Sequence, residues 1–338
     1  MVLALALSRY FLMIAMAFLM AGVIVKVKSF WAGRYGPPVL QPLYDVWKLL
    51  RKGHVVSGTT SAVFGAAPSI TLASVLSAGL VLPIGGGPAV LHFSGDFVFF
   101  AYVLALGRFF AVLGAMDTGN SLEGMGASRD VTFSALLEPA FFVIMGTLSM
   151  LTGLTSITEI YSMAASMVDF TILASIHSTG SSGAMTYIAE AVKAWSYSGL
   201  FVPVLCSNIV LMISIIVDTG RMPVDDTAAH DELTMIHGVM VLDNSGPDMA
   251  MINVARAMKI ALMGTLVTGL TMGLVVPTWV SGALCLVIYA FIMLIVAAAI
   301  GLIESVTVRM RLSRVPQFVL GASSIALIVL SALMIGRS

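Results

Sequence analysis

Charge is what this chain has least of. Its 338 residues hold 17 Lys and Arg and 17 Asp and Glu, against 59% hydrophobic residues, and the mean hydropathy is +1.02. So low a charge content excludes an ordinary water-soluble core. A net charge of zero gives no electrostatic reason to expect nucleic acid as a partner. Cysteine is nearly as scarce. Cys206 and Cys285 both fall inside apolar runs. Two such residues are too few to ligate an iron–sulfur cluster or a zinc ion, so the sequence predicts no metal or redox cofactor held by this chain. Strict alternation of apolar and polar residues is also missing, which argues against a closed membrane barrel.

What is present is a series of uncharged apolar runs. A run of about 20 residues crosses roughly 30 Å of hydrocarbon as a helix. Eight are read, at about 3–25, 60–83, 95–116, 131–153, 197–217, 256–277, 279–303 and 316–336. The first lacks the short apolar region and small-residue cleavage site of a signal peptide, so it is read as a retained helix. The fold class expected is all-α: one transmembrane domain over 1–338, a polytopic bundle of about eight helices.

The basic residues orient it. Lys26, Lys28, Arg34, Lys48, Arg51, Lys52, Arg129, Arg221, Arg309, Arg311 and Arg314 fall in alternate connections, while the opposite ones hold only Lys193 and Arg337. Cytoplasmic loops carry the excess of Lys and Arg, so the expected topology is multi-pass in a cytoplasmic (inner) membrane with the N-terminus outside. Calling 157–176 a further span would reverse every later loop, so that stretch is read as a re-entrant or surface helix.

Three inner segments carry polar patterns. In 38–52, Leu43, Trp47 and Leu50 recur at helical spacing, with Asp45, Lys48 and Lys52 on another face. This describes an amphipathic helix lying at the membrane surface. The segment 117–130 holds Gly119, Gly124 and Gly126, which suit tight turns. No Lys-Ser or Lys-Thr follows, so a nucleotide loop is not expected, and a structured loop against a partner protein is. The third is an acidic loop over 218–255. Seven of the 17 acids fall there: Asp218, Asp225, Asp226, Asp231, Glu232, Asp243 and Asp248. Asp225 and Asp226 follow Pro223 and suit the N-terminus of a helix. His230 and His237 lie two helical turns apart, too far to share one zinc on one face. Because histidine titrates near neutral pH, this Asp/Glu/His series suits proton transfer into the bundle.

Glu138 stands inside the fourth run, directly before Pro139. An ionised carboxylate at that depth is costly and implies a partner, protonation or function. The proline frees the carbonyl of Ala135 and bends the helix. The expected reading is a proton-relay site, with Arg108 of the third run as the alternative structural partner. Arg256 and Lys259 open the sixth run and are read as reaching back to the interface.

Three motifs carry a resemblance: GPPVLQPLYDVWKLLRK (36–52), GMGASRD followed by LLEP (124–139), and RMPVDD with HDELTMIH and SGPD (221–248). Over about residues 1–315 the chain resembles the membrane-anchor subunit of group 4 energy-converting nickel–iron hydrogenases, called formate hydrogenlyase subunit 4 in formate-linked members. It is similar in turn to NADH dehydrogenase subunit 1 of respiratory complex I. The resemblance implies a non-catalytic subunit that anchors a peripheral redox arm and couples electron transfer to proton or sodium movement. The partners it implies are hydrogenase-like large and small subunits, a ferredoxin-like iron–sulfur subunit, antiporter-like membrane subunits and membrane lipid. The nickel–iron centre and the iron–sulfur clusters would lie in those partners. By position, Glu138 matches the acid at the start of the family's carboxylate path, and Arg221, Asp225, Asp226 and Glu232 match the loop beneath the cluster-bearing subunit. The ion pathway expected is Glu138, Glu232, Asp225, Asp226, His230, His237 and Arg108, with partner contacts at Arg221, Asp243, Arg129 and Asp130. One departure stands out: Gly238 follows TMIH where the family commonly has Glu. A complex I-type quinone chamber framed by 38–52 and 117–130, and a stand-alone secondary transporter, are the alternatives. The transporter is disfavoured because no inverted repeat is visible between the halves.

Overall fold

A computed structural model describes residues 2–163, 201–225, 235–276 and 282–337. Among these residues there are helices and turns and no strand. Lipid offers no hydrogen bonds to an open backbone, so continuous apolar runs become helices. The helices are α1 (Val2–Trp31), α2 (Gln41–Leu50), α3 (Ala62–Gly79), α4 (Asp96–Asp117), α5 (Ser121–Thr152), α6 (Phe201–Asp218), α7 (Gly246–Val275), α8 (Gly282–Val306) and α9 (Val315–Arg337). Seven of them are long and apolar enough to cross a membrane, and α6 is a shorter apolar helix. These eight match the eight apolar runs, and the fold is the polytopic helical bundle expected.

Two helices begin earlier than their apolar runs. α5 starts at Ser121, so most of 117–130 is helix, not loop. Asn120 accepts a hydrogen bond from the Leu122 N–H at 3.1 Å and caps it. Of the three glycines in this stretch only Gly119 takes a positive φ, +71°. α7 starts at Gly246, so the end of the expected 218–255 loop is helical. In both cases the charges that hid the helix from a hydropathy reading are taken up by partners inside the protein.

α7 is the central element, packed against α1, α2, α3, α6 and α8. α4 and α5 pack together, and α9 closes the far side against α5 and α6. Small residues allow close approach between membrane helices, where no hydrophobic drive exists. A side chain at Gly107 of α4 would meet Ser74 Oγ of α3 at 1.9 Å, and one at Gly114 would meet the Ala67 Cβ at 2.7 Å.

The ends of the helices are tied together by polar contacts. At one end, Glu304 joins Arg221 at 2.7 Å and Lys28 at 3.7 Å. There too His54 meets Asp248 at 2.6 Å, and Asp117 accepts from the Ser61 N–H at 2.7 Å. These bonds gather the predicted inner connections at one end of the bundle. At the other end, buried Asp96 accepts from Ser156 Oγ and the Ile157 N–H, each at 2.7 Å. α2 has no buried residue and carries Arg51 over the Trp47 ring at 4.8 Å, as a surface-lying amphipathic helix does. Of the stretch 157–176, residues 157–163 are helical, and the rest lies outside the described residues.

Candidate functional site: a buried chain of charges

The basic-rich end of the bundle holds a connected series of ionisable side chains running inward. Arg309 reaches Asp225 at 3.4 Å. Asp225 Oδ2 lies 3.8 Å from His237 Nδ1, and His237 Nε2 lies 3.2 Å from Asp130 Oδ1. Asp130 Oδ2 is 3.7 Å from Arg108 Nε. Arg108 donates to Asp218, which also takes Lys259 at 2.9 Å. A branch leads from Arg108 to Glu138 at 3.6 Å. At 1.5 Å per helical residue, Arg108 lies about 13 Å in from the Asp117 end of α4.

Each member is placed by a local feature. Asp225 accepts from the backbone N–H of Ile236 and of His237, both at 3.1 Å. The His237 carbonyl accepts from Arg256 at 2.8 Å, and the Met235 carbonyl from Arg129 at 3.0 Å. Gly126 of α5 lets this strap sit close: an added Cβ would lie 3.0 Å from the Ile236 oxygen. Gly220, at φ +60°, makes room for the imidazole, because an added Cβ would lie 2.4 Å from His237 Nδ1. Further along, buried Glu123 accepts from the Asp243 N–H at 2.8 Å and from Thr118 Oγ1 at 2.9 Å.

The charges nearly cancel. Arg108, Arg256, Lys259 and Arg309 face Asp130, Glu138, Asp218 and Asp225, which leaves His237 as the member whose ordinary pKa lies nearest neutrality. Burial pulls its pKa down, but the carboxylates of Asp130 and Asp225 beside the ring outweigh that and raise it. For Asp225, burial pushes upward, yet the His237 ring and the two backbone N–H groups hold the carboxyl below its usual range.

Several expectations take a different form here. Glu138 does pair with Arg108, but its side chain is 48% exposed, whereas that of Asp218 is 3% exposed. The principal partner of Arg108 is therefore Asp218, with Asp130 beside it. Arg221, expected at a partner surface, is taken up by Glu304, and Asp130, expected there too, points into the charge chain. Lys259 ends on Asp218, the last residue of α6. Asp243 is held to α5 through its backbone N–H. Asp226, His230, Asp231 and Glu232 lie outside the described residues. Sequence reasoning missed Lys259 as a site member and the central part of Asp218. The available signal was a lysine well inside a mostly apolar helix.

Beside the chain lies a cavity of about 120 Å³. α3 and α4 give it apolar walls, among them Phe64, Pro68, Leu104 and Ala111. His237, Asp218, Asn244 and Lys259 give it polar ones. Of the segments expected to frame a chamber, 38–52 does not line it and 117–130 contributes only Asp130. Among the described residues no group of three His, Cys, Asp or Glu side chains is arranged to hold a metal ion.

The structure is thus a helical membrane bundle with a chain of ionisable side chains led in from one end. The family model described as NADH dehydrogenase matches residues 3–335, and the chain belongs to that family. Hydrogenase-4 component C of Escherichia coli (strain K12) is 29% identical over 155 residues, 46% of this chain and 49% of that protein. Formate hydrogenlyase subunit 4 of the same organism is 30% identical over 146 residues, 43% of this chain and 48% of that protein. These matches thus span about half the length of those relatives. A chain in the structure of the membrane-bound sulfane sulfur reductase, an archaeal respiratory membrane complex, superposes with a TM-score of 0.70. That match covers 97% of this chain and 99% of the other at 20% identity, and so shares the fold.

Proposed function

We propose that this chain is the membrane subunit of an energy-converting hydrogenase or formate hydrogenlyase-type complex. In this reading it anchors the peripheral redox arm and couples electron transfer to proton or sodium movement. The observation that carries the reading is the continuous series Arg309–Asp225–His237–Asp130–Arg108–Asp218–Lys259, with Glu138 as its branch. A structural need alone does not account for it, since apolar packing serves stability as well as buried ion pairs do. Moving one proton onto His237 would unbalance a set of four cations and four anions, and so shift every neighbour electrostatically.

The basic-rich end faces the cytosol, the N-terminus faces outward, and the membrane is the cytoplasmic one. The arm comprises hydrogenase-like large and small subunits and a ferredoxin-like iron–sulfur subunit, which hold the metal centres. Antiporter-like subunits sit beside this chain in the membrane, and this chain holds no cofactor itself. Purification from membranes by a tag on this chain tests the anchoring role. The expected preparation contains stoichiometric iron and a hydrogenase-like large subunit; recovery of the chain with neither contradicts it.

A second reading is favoured by one observation, the apolar-walled cavity ending on His237 and Asp218. It is a quinone chamber of complex I type. Protection of Ala111→Cys from thiol labelling by a short-chain quinone separates this reading from the first.

A further inference from the structure

Three buried polar atoms have no hydrogen-bond partner among the described residues and belong to side chains that line the same cavity: His237 Nδ1, Asp218 Oδ2 and Asn244 Oδ1. They come from three separate segments, α6, the strap that follows it, and the turn before α7. A buried polar atom left unpaired costs about 1–3 kcal/mol, and here three side chains that carry one line the same cavity. The cavity has room for several waters at roughly 10–15 Å³ each.

The two ring nitrogens of His237 differ in their partners. Nε2 lies 3.2 Å from Asp130 Oδ1 and donates to it. Asp225 Oδ2, at 3.8 Å, stands beyond hydrogen-bond reach of Nδ1. With Nε2 on Asp130, the neutral ring keeps its lone pair on Nδ1, an atom with no hydrogen-bond partner among the described residues. Among the described residues, Asp130 of α5 and Asp225 after α6 stand at the ring nitrogens, and Asp218, Arg108 of α4, and Arg256 and Lys259 of α7 line the same cavity.

We infer that the cavity is a water-filled port through which His237 exchanges protons with bulk solvent at Nδ1, and that Asn244 is the positioning residue for its water. The step is a simple protonation. One proton from bulk adds to the Nδ1 lone pair as neighbouring waters pass protons along, the Nε2–H stays on Asp130, and the ring becomes imidazolium. Discharge retraces the same route. This deepens the proposed coupling role and rests on it for its use.

Deuterium exchange at the His237 ring C2–H, followed by mass spectrometry on the purified complex, reports the solvent access of this ring directly. Asn244→Leu is expected to slow that exchange by roughly tenfold through loss of the water-anchoring hydrogen bond. Ala111→Phe, which fills the cavity from α4, is expected to slow it similarly. Exchange at His237 unchanged in both Asn244→Leu and Ala111→Phe overturns the proposal. Ion uptake measured on the same preparations distinguishes the two readings: slowed exchange with undiminished uptake leaves the port standing and removes the ion path.

Discussion

His237 and Asp130 meet at 3.2 Å, although 107 positions separate them in the chain. One sits on a strap between α6 and α7, the other on the third turn of α5. Their contact joins the solvent-side pair Arg309–Asp225 to the inner group Arg108, Asp218 and Lys259. Removing either residue divides the series in two.

The first consequence is a pH dependence. The folded state raises the pKa of His237, so its ion pairs stabilise the protein fully below the unfolded value of about 6.5. That contribution fades as pH rises through the folded value. Asp225 behaves oppositely: its folded pKa is lowered, so its contribution is present above about 3.9 and is lost as pH falls through the folded value. Thermal stability of the purified complex, followed upward from pH 6, should decline in the parent protein. His237→Gln should flatten that decline.

Asp218 and Glu138 should respond very differently to amide substitution. Asp218 is nearly fully buried and serves both Arg108 and Lys259, so Asp218→Asn leaves two buried cations without their common anion. A loss on the order of 3–5 kcal/mol, read as failed assembly or a large drop in melting temperature, is expected. Glu138→Gln leaves Arg108 with Asp218 and Asp130. With two carboxylates still beside Arg108, a smaller loss than for Asp218→Asn is expected. Equal destabilisation by the two variants contradicts the ranking of Arg108's partners.

Gly220 is expected to be intolerant for two separate reasons. Its positive φ disfavours any side chain by about 1–2 kcal/mol, and a Cβ would press on the imidazole at 2.4 Å. Gly220→Ala should therefore impair ion movement more than assembly. A variant with parent-like ion uptake shows that the ring's position is unimportant.

Arg221→Gln breaks the 2.7 Å bond to Glu304, while Glu304 keeps Lys28 at 3.7 Å. A moderate loss of thermal stability is expected, with the peripheral subunits still bound. Loss of those subunits at unchanged stability would show Arg221 acting as a partner contact.

The bundle was legible because lipid imposes a one-dimensional rule: length and apolarity suffice to find a spanning helix. The rule fails where charges are satisfied inside the protein. α5 starts at Ser121 despite Glu123, Arg129 and Asp130, because each of these finds a partner, and no local pattern announces that. The charge chain was half legible. Glu138, Arg108, Asp225 and His237 stand out as charges in or beside apolar runs. Their order does not, since contacts such as Arg108 with Asp218 join residues 110 positions apart. Hence Glu138 appears from sequence as Arg108's main partner, whereas packing of α6 against α5 and α7 gives that place to Asp218. Gly126 and Gly220 read as loop residues, and their role in admitting the His237 strap becomes visible only in three dimensions.

Ion uptake into vesicles carrying the assembled complex tests the central claim most directly, with Asp130→Asn compared against the parent while electron transfer is measured in the same samples. Asparagine keeps the size of the side chain and removes the charge that links His237 to Arg108. Electron transfer that continues while uptake is lost is the result expected of a chain that couples the two. Normal assembly, normal electron transfer and undiminished uptake would contradict it, and would leave this protein as an anchor alone.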